Sequence, residues 1–265
     1  MILRTVPVFD KAELLTGLEK VLNNHQLSRQ ERCLLIIDAA QYDENDVLKQ
    51  IYLLDGNPEW CWLFEETPFE QHRDAGPIVV ETNLGSGLCR YAASKWSNDG
   101  ALVILVTERH QSTALAGIRK SLLINLETYG PCFLRLYDGR FMGLLNACFP
   151  DAVDSLISDG DRLVWAIDDL DNVHWLSAIG SAREVEGLRA CQERPLEELL
   201  TWVSGWPRCM AVANDSTHTL DEKIKVISSL WSAGYTCPES DVELSRLWQP
   251  KELALREGNG HHQFV

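Results

Sequence analysis

Six consecutive apolar residues, Ala101 to Val106, lie between the turn-forming pair Asp99-Gly100 and the polar Thr107-Glu108. A run this short and uninterrupted reads as a buried strand, since an amphipathic helix would be longer and would carry a polar stripe. Cys33 to Ile37 has the same form and ends on Asp38, and Trp60 to Phe64, Pro77 to Glu81 and Cys132 to Tyr137 are further strand candidates. Between these runs the apolar residues return at helical spacing. Val47, Leu48, Ile51 and Leu54 follow Asp46 and stop at Asp55-Gly56-Asn57-Pro58. Ser86 to Trp96 suits a second helix. Ser112 or Thr113 opens a third, carried through Leu115, Ile118, Leu122 and Leu126, and Arg140 to Phe149 forms a fourth. An earlier amphipathic helix, capped by Asp10, covers Leu14, Leu15, Leu18, Val21 and Leu22. Strands alternating with helices predict an α/β layer built on a mixed sheet.

Beyond Pro150 the pattern changes. Arg162 to Ile167 and Val173 to Ile179, joined by a polar stretch, predict a hairpin. From Pro195 onward only helices are expected. Pro195 stands in a first turn before Leu196, Leu199, Leu200 and Val203. Leu220 to Trp231 is the next, and Ser240 to Trp248, with Glu243 three residues after Ser240, is the last. The expected organisation is an α/β domain over residues 1–190 and a smaller helical lobe over 191–265.

Charge narrows the choice of partner. The chain has 39 acidic and 24 basic residues, a formal net charge of -15. Nucleic acid and anionic lipid surfaces both require a basic footprint, so neither is expected. A basic or apolar protein partner fits better. The charge is also uneven: net -5 over residues 1–150 and net -10 over the shorter remainder. The eight cysteines are widely separated and form no CxxC pair, and several lie inside apolar runs, as Cys61 does between Trp60 and Trp62. They read as small buried hydrophobes in a reducing compartment. Met1 to Asp10 has no signal-peptide pattern and no window approaches a membrane span, so a bacterial cytoplasmic location is expected.

Catalytic patterns are missing where they would be sought. Leu84-Gly85-Ser86-Gly87 lacks the first glycine of a nucleophile elbow, and a turn opening a helix is the plainer reading. No phosphate-binding loop occurs and no HxxxH pair of zinc-protease type. Asp159, Asp161, Asp168, Asp169 and Asp171 could offer oxygen ligands to a hard cation but lack the spacing of a calcium loop; a solvated hairpin tip is the simpler account. Asp38 is the exception, because α/β enzymes often place a nucleophile or metal ligand directly after a buried strand. A carboxylate there can equally bond the next segment of backbone. No cofactor and no metal is expected.

Four segments, in order, resemble the amino-terminal domain of the effector adaptors, or chaperones, of type VI secretion systems, first catalogued as a domain of unknown function. They are Cys33 to Ala40, Ala75 to Glu81, Gly100 to Arg119, and Phe133-Leu134-Arg135-Leu136-Tyr137-Asp138-Gly139-Arg140-Phe141. The fourth is the most specific, although Gly139 stands where the family has proline. The resemblance covers residues 33–150. It implies a non-catalytic protein that binds a toxic secreted effector and presents it to the spike (VgrG) protein of a contractile apparatus. It also implies a structural role for Tyr137, Asp138 and Arg140, with Asp138 capping a helix and Arg140 pairing with a carboxylate such as Asp38. For the partner's grip, Trp202, Trp206, Trp231 and Trp248 are the aromatic candidates in the helical lobe; the alternative is that they build its core. Two rival functions remain: an immunity-like inhibitor occluding a toxin with its acidic surface, and an α/β hydrolase using Asp38.

Overall fold

The computed structural model describes residues 6–8, 18, 31–43, 45–126, 130–154, 156–169, 172–180, 193–213 and 219–248. The chain divides into two compact units, Met1–Glu193 and Arg194–Val265.

Strands of the first unit are β1 (Val6–Val8), β2 (Arg32–Ile37), β3 (Trp60–Trp62), β4 (Ile78–Thr82), β5 (Leu102–Thr107), β6 (Leu123–Leu126), β7 (Gly130–Phe133), β8 (Arg162–Asp169) and β9 (Asn172–Ile179). Its helices are α1 (Asp46–Leu54), α2 (Gly87–Tyr91, prolonged by a π-helical turn Ala92–Trp96), α3 (Gln111–Ser121), α4 (Gly139–Cys148) and α5 (Pro150–Asp154). Seven strands form one sheet in the order β1-β9-β8-β5-β2-β4-β3, and β6 pairs with β7 in a separate hairpin.

The two most apolar runs occupy the middle of that sheet. Leu35 of β2 lies opposite Val80 on one side and Ile104 on the other. Cys33, Leu35 and Ile37 join Ile104, Val47 and Ile51 of α1, and Leu88 and Trp96 of the α2 segment in one buried cluster. The alternate residues Leu34 and Ile36 are also fully buried, on the opposite face. Helices on both faces explain why β2 and β5 read as continuous apolar runs and not as alternating ones. On that second face α4 lies close against β8: a Cβ added at Gly139 would stand 2.0 Å from the Ala166 carbonyl oxygen. Only glycine permits this approach.

The α/β expectation is met, but every pairing described in the sheet is antiparallel, so the expected mixed sheet is corrected. The reason is topological. The helical connections β2-α1-β3 and β4-α2-β5 do join parallel strands, as alternation implies. Each, however, skips one position, and an antiparallel strand fills it: β4 between β2 and β3, β2 between β4 and β5. Element boundaries also move, and the strand expected over Trp60 to Phe64 ends at Trp62. The third helix ends at Ser121, not Leu126, because Leu123–Leu126 pairs with Gly130–Phe133. The predicted strand Cys132 to Tyr137 accordingly stops at Phe133. Residues 134–138 turn instead, with Leu136 N–H donating to Leu134 O and Asp138 N–H to Arg135 O. The β8–β9 hairpin is observed, and the early helix over Leu14 to Leu22 lies outside the described residues apart from the buried Leu18.

The second unit contains α6 (Glu193–Ser204), α7 (Trp206–Ala213), α8 (Leu220–Ser232) and α9 (Asp241–Trp248). Helix α7, not anticipated from the sequence, follows the close contact between Gly205 and Cys237. Helix α8 starts on a capping box: Thr219 N–H donates to Glu222 Oε2 at 2.7 Å, and Glu222 N–H returns to Thr219 Oγ1. Leu196, Leu199, Ile224, Ile227 and Leu244 are buried here at helical spacing. No described helix is long and apolar enough to cross a membrane.

Candidate functional site

Asp38 directly follows β2 and is 1% exposed, and its N–H donates to Ala101 O at 2.9 Å. A buried carboxylate needs donors, because the penalty for an unpaired buried charge is several kcal/mol. Two arrive. Gln41, in the turn Ala39–Gln41, donates from Nε2 to Oδ2 at 2.9 Å, and Arg135 donates from Nη2 to the same oxygen. The turn over residues 134–138 is what aims Arg135 at the end of β2. The Arg135 guanidinium also stands 5.5 Å from the Tyr137 ring centre. Burial works against the Arg135 cation, but Asp38, Tyr137 and Asp138 together outweigh it and its pKa is raised. Burial also pushes the Tyr137 phenol up to about 12, reinforced by Asp38.

Asp138 begins α4. Its Oδ1 accepts the Arg140 N–H at 2.9 Å, the N-cap bond, and also Arg140 Nε at 3.0 Å, while Oδ2 accepts Nη2 at 2.7 Å. One carboxylate therefore caps a helix and holds a guanidinium by two parallel bonds. That hydrogen bonding to Asp138 raises the Arg140 pKa despite partial burial. The capping role expected of Asp138 is observed. The pairing expected between Arg140 and Asp38 is corrected: Arg140 binds Asp138, two residues away, and Arg135 takes Asp38. Asp38 contributes to the field on Arg140 without bonding to it.

Beside this cluster Phe133 packs edge-on against Phe64 and Phe69, at 5.3 and 4.8 Å, and reaches the Tyr137 ring at 6.2 Å. Arg119, 8% exposed on α3, anchors the same loop: Nε donates to Leu63 O at 3.1 Å, Nη2 to Trp62 O at 3.0 Å and Nη1 to Glu66 Oε2 at 3.0 Å. Neither Arg119 nor Arg135 was singled out from the sequence. For Arg119 a signal existed: it lies four residues after Leu115 on the apolar helix face, where a charge is unusual and almost always paired.

The remaining candidates divide clearly. Ser86 Oγ caps α2 by accepting Cys89 N–H at 2.9 Å and lies 2.7 Å from Thr82 Oγ1, as its turn reading requires. Asp161 departs from the solvated account, being 3% exposed and bonded to Arg109 at 2.8 Å, whereas Asp168 is exposed. Asp171 lies outside the described residues. Among the described residues no group of three histidine, cysteine or acidic side chains is placed to hold a metal. Trp202 and Trp206 are fully buried, Trp248 is 5% exposed and Trp231 is half-buried. Trp202 Nε1 donates to Tyr235 O at 2.8 Å. The core reading thus accounts for three of these four residues, and Trp202, Trp206 and Trp248 present no face to a partner.

Residues 33–154 match the model of a family described as Domain of unknown function (DUF4123). No curated protein and no solved structure matches the chain. The matched stretch runs from β2 to α5 and contains the whole cluster of Asp38, Arg135, Tyr137, Asp138 and Arg140. It ends before β8 and β9, although β8 pairs directly with β5. The sheet of this chain is therefore completed by strands outside the matched region.

Proposed function

We propose that the chain is a non-catalytic adaptor that binds a toxic effector protein in the bacterial cytoplasm and delivers it to the VgrG-type spike of a type VI secretion system. The observation that carries this reading is the family match over residues 33–154, the stretch whose segments resemble such adaptors. The geometry supports it in one respect. The acids a catalytic reading would use are already engaged, Asp38 by Arg135 and Gln41, and Asp138 by Arg140 and the start of α4. They act as a frame holding the end of β2, the 134–138 turn and α4 in register.

The test is recovery of the tagged chain from its native cells with mass identification of what accompanies it, combined with deletion of the chain. A toxin and a spike protein should co-purify, and the deletion should abolish export of that toxin. Recovery of a small metabolite and no protein would overturn the reading, and so would undiminished export. The net charge of -15 favours one second reading, an inhibitor that covers a toxin's basic site. Raised salt would dissociate such a complex, and the bound toxin would be inactive. Full toxin activity within the complex separates the adaptor from the inhibitor.

A further inference from the structure

Helix α1 attaches to the sheet through Val47 and Ile51, which are 2% and 0% exposed. Its last turn does not follow that pattern. Tyr52 is 53% exposed, Leu53 79% and Leu54 36%, so three consecutive large apolar residues meet solvent. Trp60, across the following loop, extends the patch: its Nε1 donates to Tyr52 Oη at 3.0 Å and its ring stands edge-on to Trp62 at 5.4 Å. At 79% exposure Leu53 adds little to the core of the first unit, and an exposed apolar patch is a usual mark of a binding surface.

Two further features adjoin the patch. One is the sheet edge. Glu81 N–H donates to Glu59 O and Leu63 N–H to Pro77 O, so the odd-numbered residues of this segment turn their backbone groups toward β4. Trp60 and Trp62 consequently turn theirs to the open edge of β3. Arg119 takes the Trp62 carbonyl, while the N–H and C=O of Trp60 have no partner among the described residues. The other is an open cavity of about 350 Å³ whose charged wall residues are Glu31, Arg32, Asp55, Glu59 and Glu81. Glu81 is bonded to Arg32 and Glu31 to Arg162. Asp55 and Glu59 have no cationic partner among the described residues, and they give the cavity its excess negative charge.

We propose that this surface receives an extended basic–apolar segment of the effector, an inference that rests on the adaptor reading above. An apolar side chain of that segment packs on Leu53 and Trp60, its backbone bonds to the exposed groups of Trp60, and a lysine or arginine enters the cavity between Asp55 and Glu59. Charge selects this occupant. A second copy of the chain, docked patch to patch about a two-fold axis, would bring two acidic cavities together, and an anionic membrane would be repelled in the same way.

The test uses the full chain and the effector recovered by co-purification, with affinity read by titration calorimetry. Leu53→Ser and Glu59→Lys should each weaken binding at least tenfold while leaving the thermal midpoint unchanged, because both side chains are on the surface. Val242→Ser, an exposed apolar residue of the second unit, should bind as the parent does. Hydrogen exchange in the complex should slow at the Trp60 amide. If the parent chain binds the effector tightly and both variants bind it equally well, the surface is misassigned while the adaptor reading stands. If the variants abolish self-association in sedimentation and leave effector affinity intact, the patch is a dimer interface and the proposal fails. If the parent chain does not bind the effector at all, the adaptor reading falls and the proposal falls with it.

Discussion

Replacing Asp138 tests the frame assigned to this region. The side chain is buried and performs two tasks, accepting the Arg140 amide at 2.9 Å and holding the Arg140 guanidinium at 3.0 and 2.7 Å. Loss of an N-cap costs about 1 kcal/mol. Loss of hydrogen bonds to a charged group costs about 1.5–3 kcal/mol, but Arg140 is 35% exposed, so water recovers part of that. Asp138→Ala should therefore destabilise the chain by about 2–3 kcal/mol. Asp138→Asn keeps a capping oxygen and gives up the ion pair, so about 1 kcal/mol is expected. Urea unfolding followed by far-ultraviolet circular dichroism measures both, and the slope with denaturant should not change if the native fold is retained. The order Ala worse than Asn worse than parent is the signature of cap plus ion pair. An unchanged unfolding midpoint in Asp138→Ala, together with lost effector binding, would refute the structural assignment and make Asp138 a contact residue.

Arg119→Ala leaves the Leu63 carbonyl without its donor and the Trp62 carbonyl with the Glu65 N–H alone, and should cost about 2–4 kcal/mol in the same assay, with Arg119→Lys rescuing little because one ammonium cannot reproduce the forked contacts. Gly139→Ala forces a Cβ to within 2.0 Å of Ala166 O, a backbone atom, so α4 must shift off β8; a loss of about 2 kcal/mol or more and a lower thermal midpoint are expected. Tyr137 gives a pH dependence. Burial, reinforced by Asp38, raises its phenol to about 12 in the folded chain, against about 10 when unfolded. The native state thus holds the proton longer, so the contribution is complete below pH ~10 and declines as pH rises toward ~12. Tyr137→Phe should flatten that part of the stability profile, and ultraviolet titration should lose one late-ionising tyrosine.

The middle of the sheet was legible because burial on both faces leaves an unbroken apolar run, and β2 and β5 are such strands. Pairing direction was not legible. A crossover helix reports that two strands run parallel, yet it does not report whether they are neighbours, and here an antiparallel strand stands between each such pair. The β6–β7 hairpin was hidden by a coincidence of periods. Leu122 and Leu126 fit a helical face continued from Ile118, and equally one face of a strand through Ile124. Only the pairing of Leu123 with Phe133 and Leu126 with Gly130 decides between them.

The site was legible in its acids and not in their partners. Asp38 and Asp138 are conspicuous because each stands where an apolar run ends. Arg135, inside Phe-Leu-Arg-Leu-Tyr, was read as part of a strand, where it would share a face with Phe133 and Tyr137. The turn over residues 134–138 is what brings it to Asp38, and that turn follows from the hairpin the sequence concealed. The aromatic residues misled in the opposite sense. Tryptophan is a common interface anchor, but in a small helical unit it is also the largest available core filler, and Trp202 and Trp206 are fully buried. The exposed apolar residues at the end of α1 were legible too. Successive residues of a helix are about 100° apart, so Tyr52, Leu53 and Leu54 cannot all share the face set by Val47 and Ile51. At least one of three consecutive apolar residues had to be exposed, and all three are, beside a sheet edge and an acidic cavity.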